Sequence, residues 1–347
     1  METILVTGSQ GFTARFLVAA LLQADPQCAV VGIGRGPQSD THFTHSVSWG
    51  RDRGRAPLPI ALETPDKNRY RYYSCSLNDT SELKKIAVSY QPSIVFHLAA
   101  ALRDDAPTQL IETNVIGTIN LLNVLGMLSD RPKLVLGSSG SVYGGSNSPC
   151  CRENDCCSPT EPYAVSKLAS ENCAKVLASS LKLDLVIARM FNISGPGQEE
   201  RHVCGRFAAQ SVAVLAGMSE PKIEVGDLTP SRDFIDVRDV AEALVALARF
   251  GSAGVTYNVA SGVECTIGTI LEKILKIAGV YDRVKVEQRY ARRHDVSRQC
   301  ADVGLLRSLG YRSQYTIDAT LHDVVDYYKA LVQWEARGRP LENTPRP

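Results

Sequence analysis

Tyr163 and Lys167 stand four residues apart in Pro162-Tyr163-Ala164-Val165-Ser166-Lys167. That spacing puts both side chains on one face of a helix. A free tyrosine has a pKa of roughly 10, too high for easy proton exchange near neutrality. A cation one turn away favours the phenolate and brings that value down. Tyr163 can then pass a proton to or from a sugar oxygen while hydride moves to or from its carbon. Upstream, an apolar run ends in Gly137-Ser138-Ser139-Gly140-Ser141-Val142-Tyr143-Gly144. A serine at the C-terminal end of a strand can hydrogen-bond that same oxygen. Tyr-x-x-x-Lys is common by chance on helices, so its weight comes from this serine-rich strand end and from the glycine turn that opens the chain.

That turn lies in Ile4-Leu5-Val6-Thr7-Gly8-Ser9-Gln10-Gly11-Phe12-Thr13-Ala14, which reads strand, turn, helix. Gly8 permits the sharp turn, and Gly11 lets backbone N–H groups approach a pyrophosphate at the helix N-terminus. Ala14 is the third small residue, needed for close helix–strand packing. The second apolar run ends in Gly32-Ile33-Gly34-Arg35-Gly36. An acidic residue there would hold a ribose 2′-hydroxyl, as in NAD enzymes. Arg35 suits a 2′-phosphate instead, so NADP(H) is favoured over NAD(H).

The ten cysteines include Cys150-Cys151 and Cys156-Cys157, with Cys28, Cys75, Cys173, Cys204, Cys265 and Cys300 scattered. Vicinal pairs suit tetrahedral zinc poorly. Free thiols and no metal are expected. The Cys150–Cys157 loop leads into the Tyr163 helix, which predicts thiols near the mouth of the cleft.

The elements that must position these groups follow from periodicity. Apolar runs at Thr3–Thr7, Ala29–Ile33, Tyr70–Cys75, Ile94–His97, Lys133–Gly137 and Leu185–Met190 lack strict alternation, as strands buried on both faces do. Helical patterns lie between them at Phe12–Gln23, Thr80–Tyr90, Thr108–Leu128 and Pro162–Leu181. This alternation predicts an α/β fold with a doubly wound parallel Rossmann sheet and a smaller C-terminal α/β substrate domain. The Rossmann part is placed at 1–190 plus about 234–260. The substrate part is placed at about 191–233 plus 261–335, and the second half of the chain carries short strands near Ile223–Val225, Phe234–Ile235, Thr256–Val259 and Val284–Tyr290. Helices are expected at Val237–Arg249, Ile267–Ala278 and Ile317–Gln333. Residues 36–69 are polar and aperiodic and read as a structureless insertion. Residues 338–347 read as a loose tail.

The 347 residues carry a formal net charge of +1 and no block of like charge, so neither nucleic acid nor an anionic membrane is an expected partner. The N-terminus lacks the basic region of a secretory signal, and the chain reads as cytoplasmic.

With these residues assembled, the sequence resembles the extended short-chain dehydrogenase/reductase family, the nucleotide-sugar epimerases, dehydratases and reductases. The likeness runs from about Ile4 to Tyr328. It rests on Thr7-Gly8-x-x-Gly11-Phe12, His97-Leu98-Ala99-Ala100, Asn114-Val115-x-Gly117-Thr118, Ser139-x-x-x-Tyr143-Gly144 and Tyr163-x-x-x-Lys167. The resemblance implies Ser139 as partner of the substrate oxygen, Tyr163 as acid/base, and Lys167 as tyrosine activator and nicotinamide-ribose ligand. It implies a cofactor set of Gly8, Gln10, Gly11, Phe12, Thr13, Arg35, Ser76, Leu77, Leu98, Ala99, Ala100, Asn114, Tyr163 and Lys167. Cys75-Ser76-Leu77 replaces the family's Gly-Asp-Leu adenine segment. Family dehydratases carry acids at the positions of Gly140 and Ser141, which argues against dehydration here. Phe191-Asn192-Ile193-Ser194-Gly195-Pro196-Gly197-Gln198, Val225-Gly226-Asp227-Leu228 and Arg232–Val240 resemble the GDP-4-keto-6-deoxy-mannose reductases within the family. That likeness implies Ser139, Ser141, Asn192, Arg232 and Arg292 as substrate contacts, the last three on the diphosphate. The leading expectation is therefore NADPH-dependent reduction of a GDP-linked 4-keto-6-deoxy sugar at C4. An NAD-dependent 4-epimerase of UDP- or GDP-hexose is the alternative, and a dinucleotide-binding regulatory protein that has lost catalysis stands outside both. The family forms a four-helix seam from the helices near Thr108–Leu128 and Pro162–Leu181, so a homodimer is expected.

Overall fold

The computed structural model describes residues 2–49, 52–59, 62, 68–145, 150–289 and 296–336. The chain begins with β1 (Thr3–Thr7), α1 (Phe12–Ala24) and β2 (Ala29–Gly34). A hairpin of β3 (His42–Trp49) and β4 (Asp52–Pro57) precedes β5 (Tyr70–Ser74), α2 (Thr80–Tyr90) and β6 (Ile94–His97). A short α3 (Pro107–Leu110), a π-helical turn (Ile111–Ile116) and α4 (Gly117–Leu125) follow one another without a break. Then come β7 (Lys133–Ser139), a 3-10 turn (Gly140–Tyr143), α5 (Pro162–Leu181), β8 (Asp184–Met190) and β9 (Asn192–Ser194). The second half adds α6 (Val203–Leu215), β10 (Lys222–Val225), β11 (Ser231–Asp236), α7 (Val237–Phe250), β12 (Thr256–Val259), β13 (Glu264–Thr266) and α8 (Ile267–Ala278). It closes with β14 (Lys285–Gln288), β15 (Arg298–Gln299), α9 (Gly304–Ser308) and α10 (Ile317–Ala336).

Seven parallel strands form one sheet in the order β12-β8-β7-β6-β1-β2-β5. Neighbouring residues of β1 face opposite cores. Ile4 and Val6 join the apolar cluster of α1 and α7, while Leu5 joins the cluster of α2, α4 and α5. This two-sided burial explains the unbroken apolar runs. The winding reverses between β1 and β6, and a ligand crevice opens beyond the C-terminal ends of strands at such a point. Besides the β3–β4 pair, two small sheets, β10 with β14 and β13-β11-β15 with β9 also paired to β11, lie outside the main one. Their apolar side chains continue into the α1 and α7 cluster, as do those of α6, α8 and α10.

The insertion is not structureless. His42–Trp49 and Asp52–Pro57 pair as antiparallel strands. The pair's buried apolar residues, Phe43, Val47 and Ala56, are few and set among polar ones. Distant partners hold it: His45 Nε2 bonds Gly197 O at 2.8 Å, the Ser48 N–H donates to Glu200, and Tyr327 Oη donates to Pro57 O at 2.9 Å. Helix α6, rich in alanine and valine, was likewise not anticipated. The expected tail 338–347 lies outside the described residues.

Candidate active site

One cleft of about 1460 Å³ runs from the end of β2 past the β1–α1 turn to the ends of β7 and β8. At its floor Gly8 has φ +70°, and a Cβ there would stand 2.8 Å from the backbone of Ala99. Only glycine fits both the dihedral and the approach. Gly11 caps α1 with no side-chain cap, and no acidic residue sits in the first turn. The unpaired N–H groups and the positive end of the helix dipole are thus left to the cleft. Gln10 Oε1 accepts from Ser39 N at 2.9 Å and from Arg15 at 3.2 Å. Arg15 also donates to His42 O at 3.0 Å, fastening the segment before the hairpin to α1. Gln10 Nε2 and Arg15 Nε are buried with no hydrogen-bond partner. Arg35, exposed, lines the cleft at the end of β2. Tyr72 Oη fixes that turn by donating to Gly36 O at 2.6 Å. An uncapped helix start and a close-approach glycine fit the phosphates of a dinucleotide.

Ser139 ends β7 and accepts from Ser141 N at 3.2 Å and Ser141 Oγ at 2.9 Å. Tyr163 and Lys167 enter the same wall from the first turns of α5. Burial pushes the Tyr163 phenol above its ordinary pKa, while the Ser139 hydrogen bond and the Arg103 charge pull it down. Lys167 Nζ donates to Gly137 O at 2.5 Å. Burial lowers its pKa to about 8, against the opposing charge of Glu171.

Beneath this wall lies a buried polar network. Glu171, one turn beyond Lys167, accepts from Ser138 Oγ at 2.5 Å and from Arg189 Nε and Nη2 at 3.0 and 2.8 Å. The Arg189 guanidinium lies 4.7 Å from the Tyr143 ring centre, and Tyr143 Oη donates to Asn258 at 2.7 Å. These contacts lock α5, β7 and β8 together, and with them the spacing of Ser139, Tyr163 and Lys167.

Most of the expected residues line the cleft: Gly8, Gln10, Gly11, Phe12, Thr13, Arg35, Ser76, Leu77, Leu98, Ala99, Ala100, Ser139, Tyr163, Lys167 and Asn192. Three do not. Asn114 is buried and consumed by Ala101 N at 2.8 Å, Ala101 O at 3.1 Å and Ser166 Oγ at 2.9 Å, so it staples α5 to the loop after β6. Ser141 is turned onto Ser139. Arg232 donates to Ser231 O at 2.8 Å on β11. Arg292 lies outside the described residues. The cysteine loop is also placed otherwise than expected: the cleft is lined by Cys75 and Cys204, and none of Cys150, Cys151, Cys156 or Cys157 reaches it. Cys151 packs instead with Tyr143 and Phe191. Among the described residues no cluster of three metal-ligating side chains occurs, and no helix is long and apolar enough to cross a membrane. Sequence reasoning missed Arg103, which pairs with Glu161 at 2.5 Å, and His45 and His202, which also line the cleft. The position of Arg103 just beyond a strand end was the available signal.

Comparison with known proteins places this cleft in context. The NAD dependent epimerase/dehydratase family matches residues 4–260. GDP-6-deoxy-D-mannose reductase of Pseudomonas aeruginosa is 34% identical over 257 residues, covering 72% of this chain and 82% of that protein. UDP-glucose 4-epimerase of Mycolicibacterium smegmatis is 29% identical over 331 residues, covering 94% of this chain and 98% of that one. The structure of RMD from Pseudomonas aeruginosa complexed with NADPH superposes with a TM-score of 0.76 at 26% identity, covering 95% of this chain and 100% of that one.

Proposed function

The chain belongs to the NAD dependent epimerase/dehydratase family, and we propose that within it the protein reduces the C4 ketone of a GDP-linked 4-keto-6-deoxy sugar at the expense of NADPH. The observation that carries this reading is Arg35, exposed on the cleft at the end of β2, where a guanidinium suits a 2′-phosphate. The reductase complexed with NADPH shares the fold. A second feature argues against dehydration. A Cβ at Gly140 would stand 2.8 Å from the Phe191 ring, so an acidic side chain there would have to displace that ring.

A bound nicotinamide supplies the hydride. Tyr163 Oη gives its proton to the C4 oxygen as charge develops there. Ser139 Oγ, whose lone pairs take hydrogen bonds from Ser141, donates to the same oxygen. Arg103, beside Tyr163, favours the tyrosinate that remains. Asn192, which lines the cleft and is held by its bond to Asp233 O at 3.0 Å, is the candidate for the substrate diphosphate. The 4-epimerase reading is supported by the likeness to the mycobacterial enzyme over nearly the whole chain. NMR of the product from a GDP-4-keto-6-deoxyhexose and NADPH tests the proposal: a new C4 hydroxyl supports it, and an unchanged ketone overturns it. The exposed Ile111, Ile116, Val165 and Val176 on the π-helical turn and α5 support a homodimer, to be checked by light scattering at micromolar protein.

A further inference from the structure

Cys151 and Ala301 form an isolated parallel bridge. Cys151 N donates to Cys300 O at 2.7 Å, and Asp302 N donates to Cys151 O at 2.9 Å. One residue back in this register, Cys150 and Cys300 stand opposite each other, with their sulfurs 3.2 Å apart. Backbones of paired strands run about 4.8 Å apart, within the roughly 4.4–6.8 Å Cα separation that a disulfide accepts. The two thiols come from segments far apart in sequence, and the register brings them together.

Their surroundings differ. Cys150 is partly exposed and Cys300 is buried. The Cys300 sulfur lies 3.9 Å from Asp233 Oδ2. That carboxylate is fixed by Ala301 N at 3.2 Å, Ser261 N at 2.9 Å and Gly262 N at 2.9 Å. The strand carrying Cys300 also reaches the active-site turn, since Gln299 Nε2 donates to Gly140 O at 2.8 Å. Its other edge pairs Arg298 and Gln299 with Ser231 and Arg232 of β11. A bond between the two sulfurs would therefore join the segment that follows the Ser139–Tyr143 turn to the small sheet bearing Arg232.

We propose that Cys150 and Cys300 are a reversible modification site that takes low-molecular-weight disulfides of the glutathione class. The Cys150 thiolate attacks one sulfur of the reagent and expels one thiolate, leaving a mixed disulfide on Cys150. Cys300 then attacks the Cys150 sulfur and expels the second thiolate, which takes up the proton that Cys300 loses. Two protein thiols are oxidised to one disulfide, and the reagent disulfide is reduced to two thiols. Exposure assigns the first attack to Cys150. Burial pushes the Cys300 thiol up, which disfavours it as the first attacker; its 3.2 Å distance from the Cys150 sulfur makes the second step intramolecular.

The test uses the full chain, reduced, freed of reductant and incubated with oxidised glutathione. Remaining thiols are then alkylated, and the protein is digested and mapped by mass spectrometry. The expected product has lost two hydrogens, yields a Cys150–Cys300 cross-linked peptide, and returns to the starting mass with dithiothreitol. Its thermal midpoint rises by roughly 5 °C, because the bond closes a long loop in the unfolded chain. Cys156→Ser, outside the pair, leaves the cross-link unchanged, and Cys300→Ser leaves glutathione trapped on Cys150. Absence of reaction, a stable glutathione adduct on the unsubstituted protein, or a link between any other two cysteines overturns the proposal. The map of the unsubstituted protein decides even if Cys300→Ser does not fold.

Discussion

Replacing Glu171 by glutamine removes one negative charge from a site that water does not reach. Glu171 has no exposed side-chain surface, and its partner Arg189 has 4%. The carboxylate accepts from both guanidinium edges and from Ser138, with Lys175 at 4.0 Å. An amide keeps one acceptor oxygen but turns an N–H group toward the guanidinium, leaving Arg189 buried with no counter-charge in that pair. Breaking a buried ion pair from one side costs about 3–5 kcal/mol. The retained acceptor places Glu171→Gln near the lower end, about 3 kcal/mol. Lys167 is affected in a second way. Glu171 supports its charge against the burial that lowers its pKa to about 8. Without Glu171 that pKa moves lower still, and the alkaline edge of kcat/KM moves to lower pH. Urea unfolding followed by tryptophan fluorescence gives the stability, and a pH series of NADPH oxidation gives the edge. The double variant Glu171→Gln/Arg189→Met should regain most of the lost stability, since no lone charge remains, while its alkaline edge stays displaced. A Glu171→Gln protein as stable as the parent, or one whose alkaline edge is unmoved or shifted upward, would refute this reasoning.

Tyr163→Phe removes the transferable proton without altering the helix, so activity should fall by roughly two to four decades with an unchanged thermal midpoint; near-normal turnover in the folded variant counts against the assignment. Arg35→Asp exchanges a phosphate partner for a ribose-hydroxyl acceptor, and the ratio of kcat/KM for NADPH over NADH should fall; an unchanged ratio shows that Arg35 does not read the 2′ position. His97 is buried between Thr7 Oγ1 at 2.7 Å and Thr118 Oγ1 at 3.0 Å, and burial lowers its pKa from 6.5 to about 3. Because the folded value lies below the unfolded one, its contribution is complete above pH 6.5 and is lost as pH falls toward 3. Between pH 6.5 and 5 the loss is about 2 kcal/mol, and His97→Gln should flatten the pH dependence of urea unfolding by that amount. The raised pKa of Asp233, about 6, acts in the opposite sense but is common to both proteins, so their difference isolates His97.

The bounds of β1, α2, β6, α5, β12 and α8 were legible in the sequence because local signals coincide there. Helices α2 and α8 show why, with Asp79 and Thr266 capping amphipathic runs. The glycine turn was legible for the same reason: its geometry is set by residues adjacent in the chain. The hairpin was not, since His45 and Ser48 find partners 152 residues away. Asn114 shows a different limit. The motif marks the residue, but only the fold shows that Ala101 and Ser166 occupy its side chain. The cysteine loop was read from its own spacing, whereas its register is set by Ala301 and its sulfur contact by Cys300.

The central claim is that this cleft consumes reduced cofactor on a sugar already oxidised at C4. The most direct measurement follows NADPH absorbance with a nucleotide-linked 4-keto-6-deoxy sugar, beside a control with an intact nucleotide hexose. The account predicts one NADPH oxidised per keto sugar and no change in the control. Interconversion of the intact hexose at C4 with no net change in cofactor would contradict it.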